Sequence, residues 1–167
     1  MTKRIVLLQA LASTVTDLNY ILKGVENQEN GSDPTAENWS VPEVLAHLVY
    51  VENCYHERMG RVIKEDNPTI PVILPEDTPL DLAAGTAVTL ERFKEARAKT
   101  IAMLKSLSPG QWQRPAVHEQ TGKTTLRFLV QILIEHDIEH LNQIVELQQA
   151  ARRVPARDAQ PAVKTDP

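Results

Sequence analysis

Cysteine occurs once in these 167 residues, at Cys54. An internal disulfide framework and any Cys-rich zinc module are thereby excluded, and the expected compartment is the cytoplasm. Neither sign of charge dominates, with 18 Lys+Arg against 22 Asp+Glu and a net charge of -4. Phosphate neutralisation needs a clustered excess of Lys and Arg, so nucleic-acid binding is excluded as the main task. No window reaches the roughly 18 to 20 unbroken apolar residues of a membrane span. The apolar run after Lys3-Arg4 is cut by Gln9, unlike the core of a signal peptide. Internal repeats are absent, and so are strand-like runs with alternation. What is left is a length typical of one domain, able to bury a core without staples.

Helical periodicity fills most of that length. From Ile5 the apolar positions run Leu8, Leu11, Ala12, Val15, Leu18, Leu22 and Val25, one stripe that ends in breaker chemistry at Gly24 and across Asn27–Pro34. A second helix opens sharply at Ser40-Val41-Pro42-Glu43, a capping box with proline in the first turn. It carries Val44, Leu45, Leu48, Val51 and Cys54 on its apolar face to about Val62, with Trp39 placed to pack on its first turn. Four prolines between 68 and 79 then make an extended connector. Some 14 residues at about 3.3 Å each reach roughly 45 Å, enough to run the length of a bundle and start the third helix parallel to the second. That third helix is expected over Leu80–Leu107, with Leu90, Phe93, Ile101 and Leu104 on its seam. A polar segment reaches Lys123, and the fourth helix starts at Thr124 or Thr125. Residues 152–167 hold three prolines and no apolar period, and read as a disordered tail. The expectation is an all-α four-helix bundle over 1–151 with one long Pro-rich crossover between helices 2 and 3.

Histidines interrupt this pattern. His136 and His140 lie one turn apart and about 40° from each other, on the face of Leu129 and Leu133. Gln143, three residues after His140, leans to the same place. His47 lies on the buried face of the second helix among Val44, Val51 and Cys54. Unpaired buried imidazoles are costly, and a divalent metal satisfies three of them through one nitrogen each. Three His with an open position is the ligand set of a catalytic zinc site, and imidazole also suits nickel, copper or iron. Gln143 and Glu43 are the candidates to support the ligands, although the capping box already accounts for Glu43. Asp137 and Glu139 are expected as solvated flanks. Cys54, two turns past His47, reads as a core thiol. His56, about 180° from His47 around its helix, is expected in solvent. His118, in the polar segment, has no assigned role.

Two segments carry a resemblance. Trp39-Ser40-Val41-Pro42-Glu43-Val44-Leu45-Ala46-His47-Leu48 and His136-Asp137-Ile138-Glu139-His140-Leu141-Asn142-Gln143-Ile144 resemble the DinB/YfiT-like superfamily. Arg114-Pro115 through Gly122 looks like that family's turn before the last helix, and the likeness covers about residues 1 to 150. It implies a four-helix bundle in up-down-down-up order, one divalent metal (zinc or nickel) on the residues matching His47, His136 and His140, and a homodimer. It also implies metal-dependent chemistry on a small molecule: S-transfer from a low-molecular-weight thiol, or hydrolysis. The alternative is a non-enzymatic, dimeric metal-binding or interaction bundle in which the His cluster is structural.

Overall fold

A computed structural model describes residues 3–23, 39–79 and 82–153. Four helices dominate: α1 (Lys3–Ile21), α2 (Val41–Lys64), α3 (Gly85–Lys105) and α4 (Leu126–Arg153). The breaker stretch at Gly24 and 27–34, the first two residues expected in the third helix and positions 154–167 of the expected tail lie outside the described residues. Within them, α4 continues through Arg152 and Arg153, past the expected boundary at 151. The third helix starts later than its apolar spacing suggests, because Leu82–Ala84 form a 3-10 turn and Gly85 takes φ 71°.

α2 begins at the capping box. The Glu43 carboxylate accepts from the Ser40 amide at 2.7 Å and from its hydroxyl at 2.6 Å, so an otherwise unpaired donor at the helix start is satisfied. After Lys64 the chain turns at Asn67, whose φ of 48° lies in the left-handed region that Asn tolerates better than most residues. Pro68 follows and cannot extend the helix.

Two apolar clusters divide the core along its length and fix the direction of each helix. One joins Leu18 and Leu22 at the end of α1, Val44 and Leu45 at the start of α2, Leu90 and Phe93 at the start of α3, and Ile144 late in α4. The other joins Leu11 to the ends of α2 (Met59, Val62) and α3 (Leu104) and to the start of α4 (Leu126, Leu129). At that second end Arg4, near the start of α1, donates to the Leu107 carbonyl just past α3 at 3.2 Å. α1 and α4 therefore run one way, and α2 and α3 the other. The order is up-down-down-up.

Two parallel neighbours joined in sequence require a return path. Ile70 packs in the cluster at the end of α2, whereas Thr78 touches His47 near its start. The segment between them travels back along the bundle, with one 3-10 turn at Pro75–Asp77.

Strands were not expected, and the described residues contain three short ones: β1 (Thr69–Ile70), β2 (Pro115–His118) and β3 (Gly122–Thr125). β1 pairs in parallel with β2, Thr69 opposite Val117 and Ile70 opposite His118. β2 and β3 form a hairpin whose turn closes at Gly122, at φ 78°, a conformation that favours glycine. Runs of two to four residues are too short for a period of two to show in sequence. The sheet ties the return segment to the loop before α4, through Val117 N–H to the Pro68 carbonyl (2.9 Å) and Glu119 N–H to the Ile70 carbonyl (3.0 Å).

Candidate functional site

α2 and α4 bring His47, His136 and His140 together. The Nε2 atom of His136 lies 3.1 Å from that of His47 and 3.1 Å from that of His140. Among the described residues no other group of three His, Cys, Asp or Glu side chains converges in this way. The Nδ1 atoms face outward. Thr78 Oγ1 meets Nδ1 of His47 at 2.7 Å, and Gln143 Oε1 meets Nδ1 of His140 at 2.7 Å. Nδ1 of His136 is buried with no hydrogen-bond partner.

Proton counting shows what this arrangement lacks. The amide oxygen of Gln143 only accepts, so Nδ1 of His140 carries the proton and its Nε2 presents a lone pair. A hydrogen bond between His136 and His140 must then use a proton on Nε2 of His136. His136 then has one hydrogen for two neighbours: Nε2 of His47, if protonated, meets it donor to donor, and if unprotonated competes with His140 for that same hydrogen. At least one of the two 3.1 Å contacts is therefore not a hydrogen bond. A cation among the three nitrogens removes the conflict, because each ring then contributes a lone pair. Metal–nitrogen bonds of about 2.0–2.1 Å in tetrahedral geometry set the nitrogens about 3.3–3.4 Å apart, close to the spacing seen.

The environment keeps the rings neutral, the form a metal needs. Burial, then the neighbouring His140, pushes the pKa of His47 down to about 4. For His136, burial and the charges of His140, His47 and Arg97 push it down to about 3. His140 is also lowered by burial, against the opposing pull of its bond to Gln143 and of Glu139 and Asp137.

The imidazoles open onto a cavity of about 400 Å³. Trp39, 3% exposed, forms one wall. Its ring lies 4.7 Å from that of His47 and stacks on His140 at 6.3 Å, so it shapes the site as well as packing in the apolar cluster at the start of α2. Glu139 is exposed, as expected, and lines the cavity. Farther along lie Tyr55, Arg58 and His118.

Several expectations need correction. Asp137 is not a solvated flank: it is 1% exposed and accepts both Nη1 and Nη2 of Arg97, at 2.7 and 3.0 Å. α4 is covered on two sides, by α1 and by α2, so residues about 100° apart, such as His136 and Asp137, are both enclosed. Glu43 serves the helix cap, and the hydrogen bonds found for its carboxylate go to Ser40 rather than to an imidazole. His56 is half-buried, with Nδ1 3.3 Å from the Thr100 hydroxyl. Cys54 is half-buried beside Tyr50, apart from the histidine cluster. Gln143 lies where expected, with its Oε1 against Nδ1 of His140. Thr78 and His118 had no signal in the spacing that could join them to His47, since the return segment and the hairpin bring them there; Arg58 shares α2 and its buried face with His47, three turns on.

Comparison with known proteins bears on this arrangement. Residues 10–144 match the family described as the DinB superfamily. YuaE of Bacillus subtilis is 24% identical over 151 residues, covering 79% of this chain and 91% of YuaE. A protein of Oceanobacillus iheyensis, named as a candidate metal-dependent hydrolase, is 25% identical over 142 residues, covering 82% of this chain and 77% of its own. Among solved structures, YfiT of Bacillus subtilis superposes with a TM-score of 0.77 at 19% identity, over 91% of this chain and 90% of YfiT. YfiT is described as a probable metal-dependent hydrolase with an unusual four-helix bundle topology. At that identity the likeness speaks for the fold.

Proposed function

This chain belongs to the DinB superfamily, and from that premise and the imidazole geometry we propose a divalent-metal-dependent hydrolase of a small molecule. The observation that carries the reading is the convergence of three neutral imidazoles whose facing nitrogens cannot satisfy one another. His47, His136 and His140 hold one divalent transition metal, zinc or nickel. A metal on three neutral ligands keeps its charge and lowers the pKa of a bound water or thiol, supplying a nucleophile near neutral pH.

The chain's own residues do the rest. Thr78 and Gln143 fix the orientation of two of the rings through Nδ1. Trp39 covers one side of the site and keeps water from it. Glu139, on the cavity wall beside His140, supplies a carboxylate to take up the proton released on attack. The descriptions of YfiT and of the Oceanobacillus protein favour hydrolysis over thiol S-transfer, which rests on the family resemblance alone. The helical bundle, which runs to Arg153, acts as the functional unit, in a cytoplasmic homodimer.

Metal content by inductively coupled plasma mass spectrometry, for untagged wild type and His136→Ala, tests the site. About one zinc or nickel per chain is expected, lost in the variant, together with metal-dependent turnover of a neutral p-nitrophenyl ester. No metal in wild type, even after incubation with zinc and nickel, overturns the reading. Metal without ester turnover, but with coupling of a thiol to an electrophile, replaces hydrolysis by S-transfer. Metal with neither activity leaves a structural site.

A further inference from the structure

Arg58 is a buried cation on the cavity wall that the chemistry above does not use. It is 6% exposed. Its guanidinium donates to the Pro71 carbonyl and lies over the Tyr55 ring at 5.2 Å. Among the described residues no carboxylate pairs with it, whereas the other deeply buried arginine, Arg97, has two. Burial pulls its pKa down, against the opposing influence of Tyr55, Cys54 and Tyr50. A guanidinium has five donors in a planar fork that matches a carboxylate, more than these partners use.

A second donor stands close by. Nδ1 of His118 accepts the backbone N–H groups of Gln120 (3.3 Å) and Thr121 (3.4 Å). The neutral ring therefore carries its proton on Nε2 and is a donor there. His118 lines the same cavity and feels the charge of Arg58, which together with burial lowers its pKa.

The position of Arg58 relative to the histidines is set by α2. Eleven residues separate His47 from Arg58, three turns that return to the same face about 16 Å along the axis. Val51 and Tyr55 lie between them on the cavity wall. Helical side chains lean back toward the N-terminus, by roughly one turn (about 5 Å) for a long arginine and about 2 Å for the shorter histidine, which leaves about 13 Å. Allowing about 2 Å each for a metal–nitrogen and a metal–oxygen contact and about 2.8 Å for a charged hydrogen bond, a ligand spanning both ends carries its polar groups about 6 Å apart.

We infer that Arg58, with His118 beside it, anchors a carboxylate on the substrate, so the cavity takes small acids whose labile carbonyl sits at the histidine end. The inference rests on the hydrolytic reading for the labile group alone. The anion subsite stands on Arg58, His118 and the cavity.

Binding separates the two readings, because it needs no turnover. Glutarate, which has the required span, and its neutral diamide are titrated by ligand-observed NMR into wild type, Arg58→Met, Arg58→Lys and His136→Ala. Wild type is expected to bind glutarate at least ten-fold tighter than the diamide. Arg58→Met loses that preference, Arg58→Lys keeps part of it, and His136→Ala keeps the part that depends on Arg58. Equal affinity for glutarate and diamide in wild type overturns the inference without any variant having to fold. So does an Arg58→Met protein that folds by circular dichroism and binds glutarate like wild type. Loss of the preference in His136→Ala but not in Arg58→Met places the carboxylate at the histidines, and also overturns it. If hydrolysis fails while the Arg58-dependent preference stands, the reaction is wrong and the subsite is right.

Discussion

Two polar clusters share one core and differ in almost every respect that decides what a buried polar group is for. The first is charged. Arg97 on α3, 0% exposed, donates through Nε to Glu52 on α2 at 2.9 Å, through Nη1 and Nη2 to Asp137 on α4, and through Nη1 to the Leu11 carbonyl on α1 at 3.2 Å. Thr14 on α1 donates to Asp137 at 2.9 Å. Burial opposes the charge on Arg97, and Asp137 and Glu52 outweigh it, so its pKa rises. The second cluster, which on α4 begins one residue before Asp137, is neutral; it leaves Nδ1 of His136 unpartnered, as the first leaves Oε1 of Glu52. It also faces a cavity, which Arg97, Glu52 and Asp137 do not line. A network whose guanidinium finds its partners within the protein holds helices together. A cluster that cannot satisfy itself and opens outward is built to receive something.

Breaking the first cluster has the largest expected effect. Arg97→Met leaves two buried carboxylates without their counter-ion, a loss of about 3–5 kcal/mol. For a chain of this size that corresponds to a melting temperature lower by about 6–20 °C. A thermal melt within two or three degrees of wild type would show that the network does not hold the bundle. Breaking the second cluster acts through its ligand. Chelation should lower the melting temperature of wild type by the equivalent of about 2.7 kcal/mol if metal had been present at 100 times its dissociation constant. His136→Ala should show no response to chelator at all, and a response as large as that of wild type would move the metal elsewhere.

Smaller changes sharpen the contrast. Thr78→Val removes the partner of Nδ1 on His47, and a roughly 10- to 100-fold loss of metal affinity is expected, with little change in the melt of the metal-free protein. Competition against a chromophoric chelator measures it, and unchanged affinity would make Thr78 a bystander. The last contrast is in pH. His47 and His136 have folded values of about 4 and about 3, below the ordinary 6.5, so on acidification the unfolded chain takes up their protons first. The stability they contribute is complete above pH 6.5, falls as pH drops below it, and levels off once the folded values are passed. Urea unfolding of metal-free protein across that window should show the decline, and a His47→Gln, His136→Gln double variant should flatten it. A variant that declines as steeply as wild type would assign the acid sensitivity to other groups.

Much of the first cluster was open to reading along the helices. Leu45, Leu48, Glu52, Tyr55 and Met59 follow one seam on α2, and Phe93, Arg97, Thr100 and Leu104 follow one on α3. All of these are buried. Glu52 and Arg97 break those stripes in the way that His47 and His136 break theirs. The histidines stood out because imidazoles suggest a ligand, while a charge inside a stripe needs its partner to be known before it can be placed. Asp137 was misplaced for a related reason: one helix shows its own apolar face and does not show that a second neighbour covers the adjoining one. The site's outer half was out of reach by periodicity. His118 meets the cavity only because β2 pairs with a two-residue β1, and Thr78 reaches His47 across 31 positions of chain that follow no repeat.

The sequence distances inside the arginine network carry a kinetic consequence. Arg97 meets partners 86, 45 and 40 positions away, and Thr14 reaches Asp137 across 123. Dehydrating a guanidinium before those partners arrive is unfavourable, so Arg97 stays hydrated until all four helices have docked. A network that closes only after the rate-limiting step speeds unfolding when it is weakened, while refolding keeps nearly its original rate. On that ground Arg97→Met is expected to shorten the life of the folded chain more than it slows its formation.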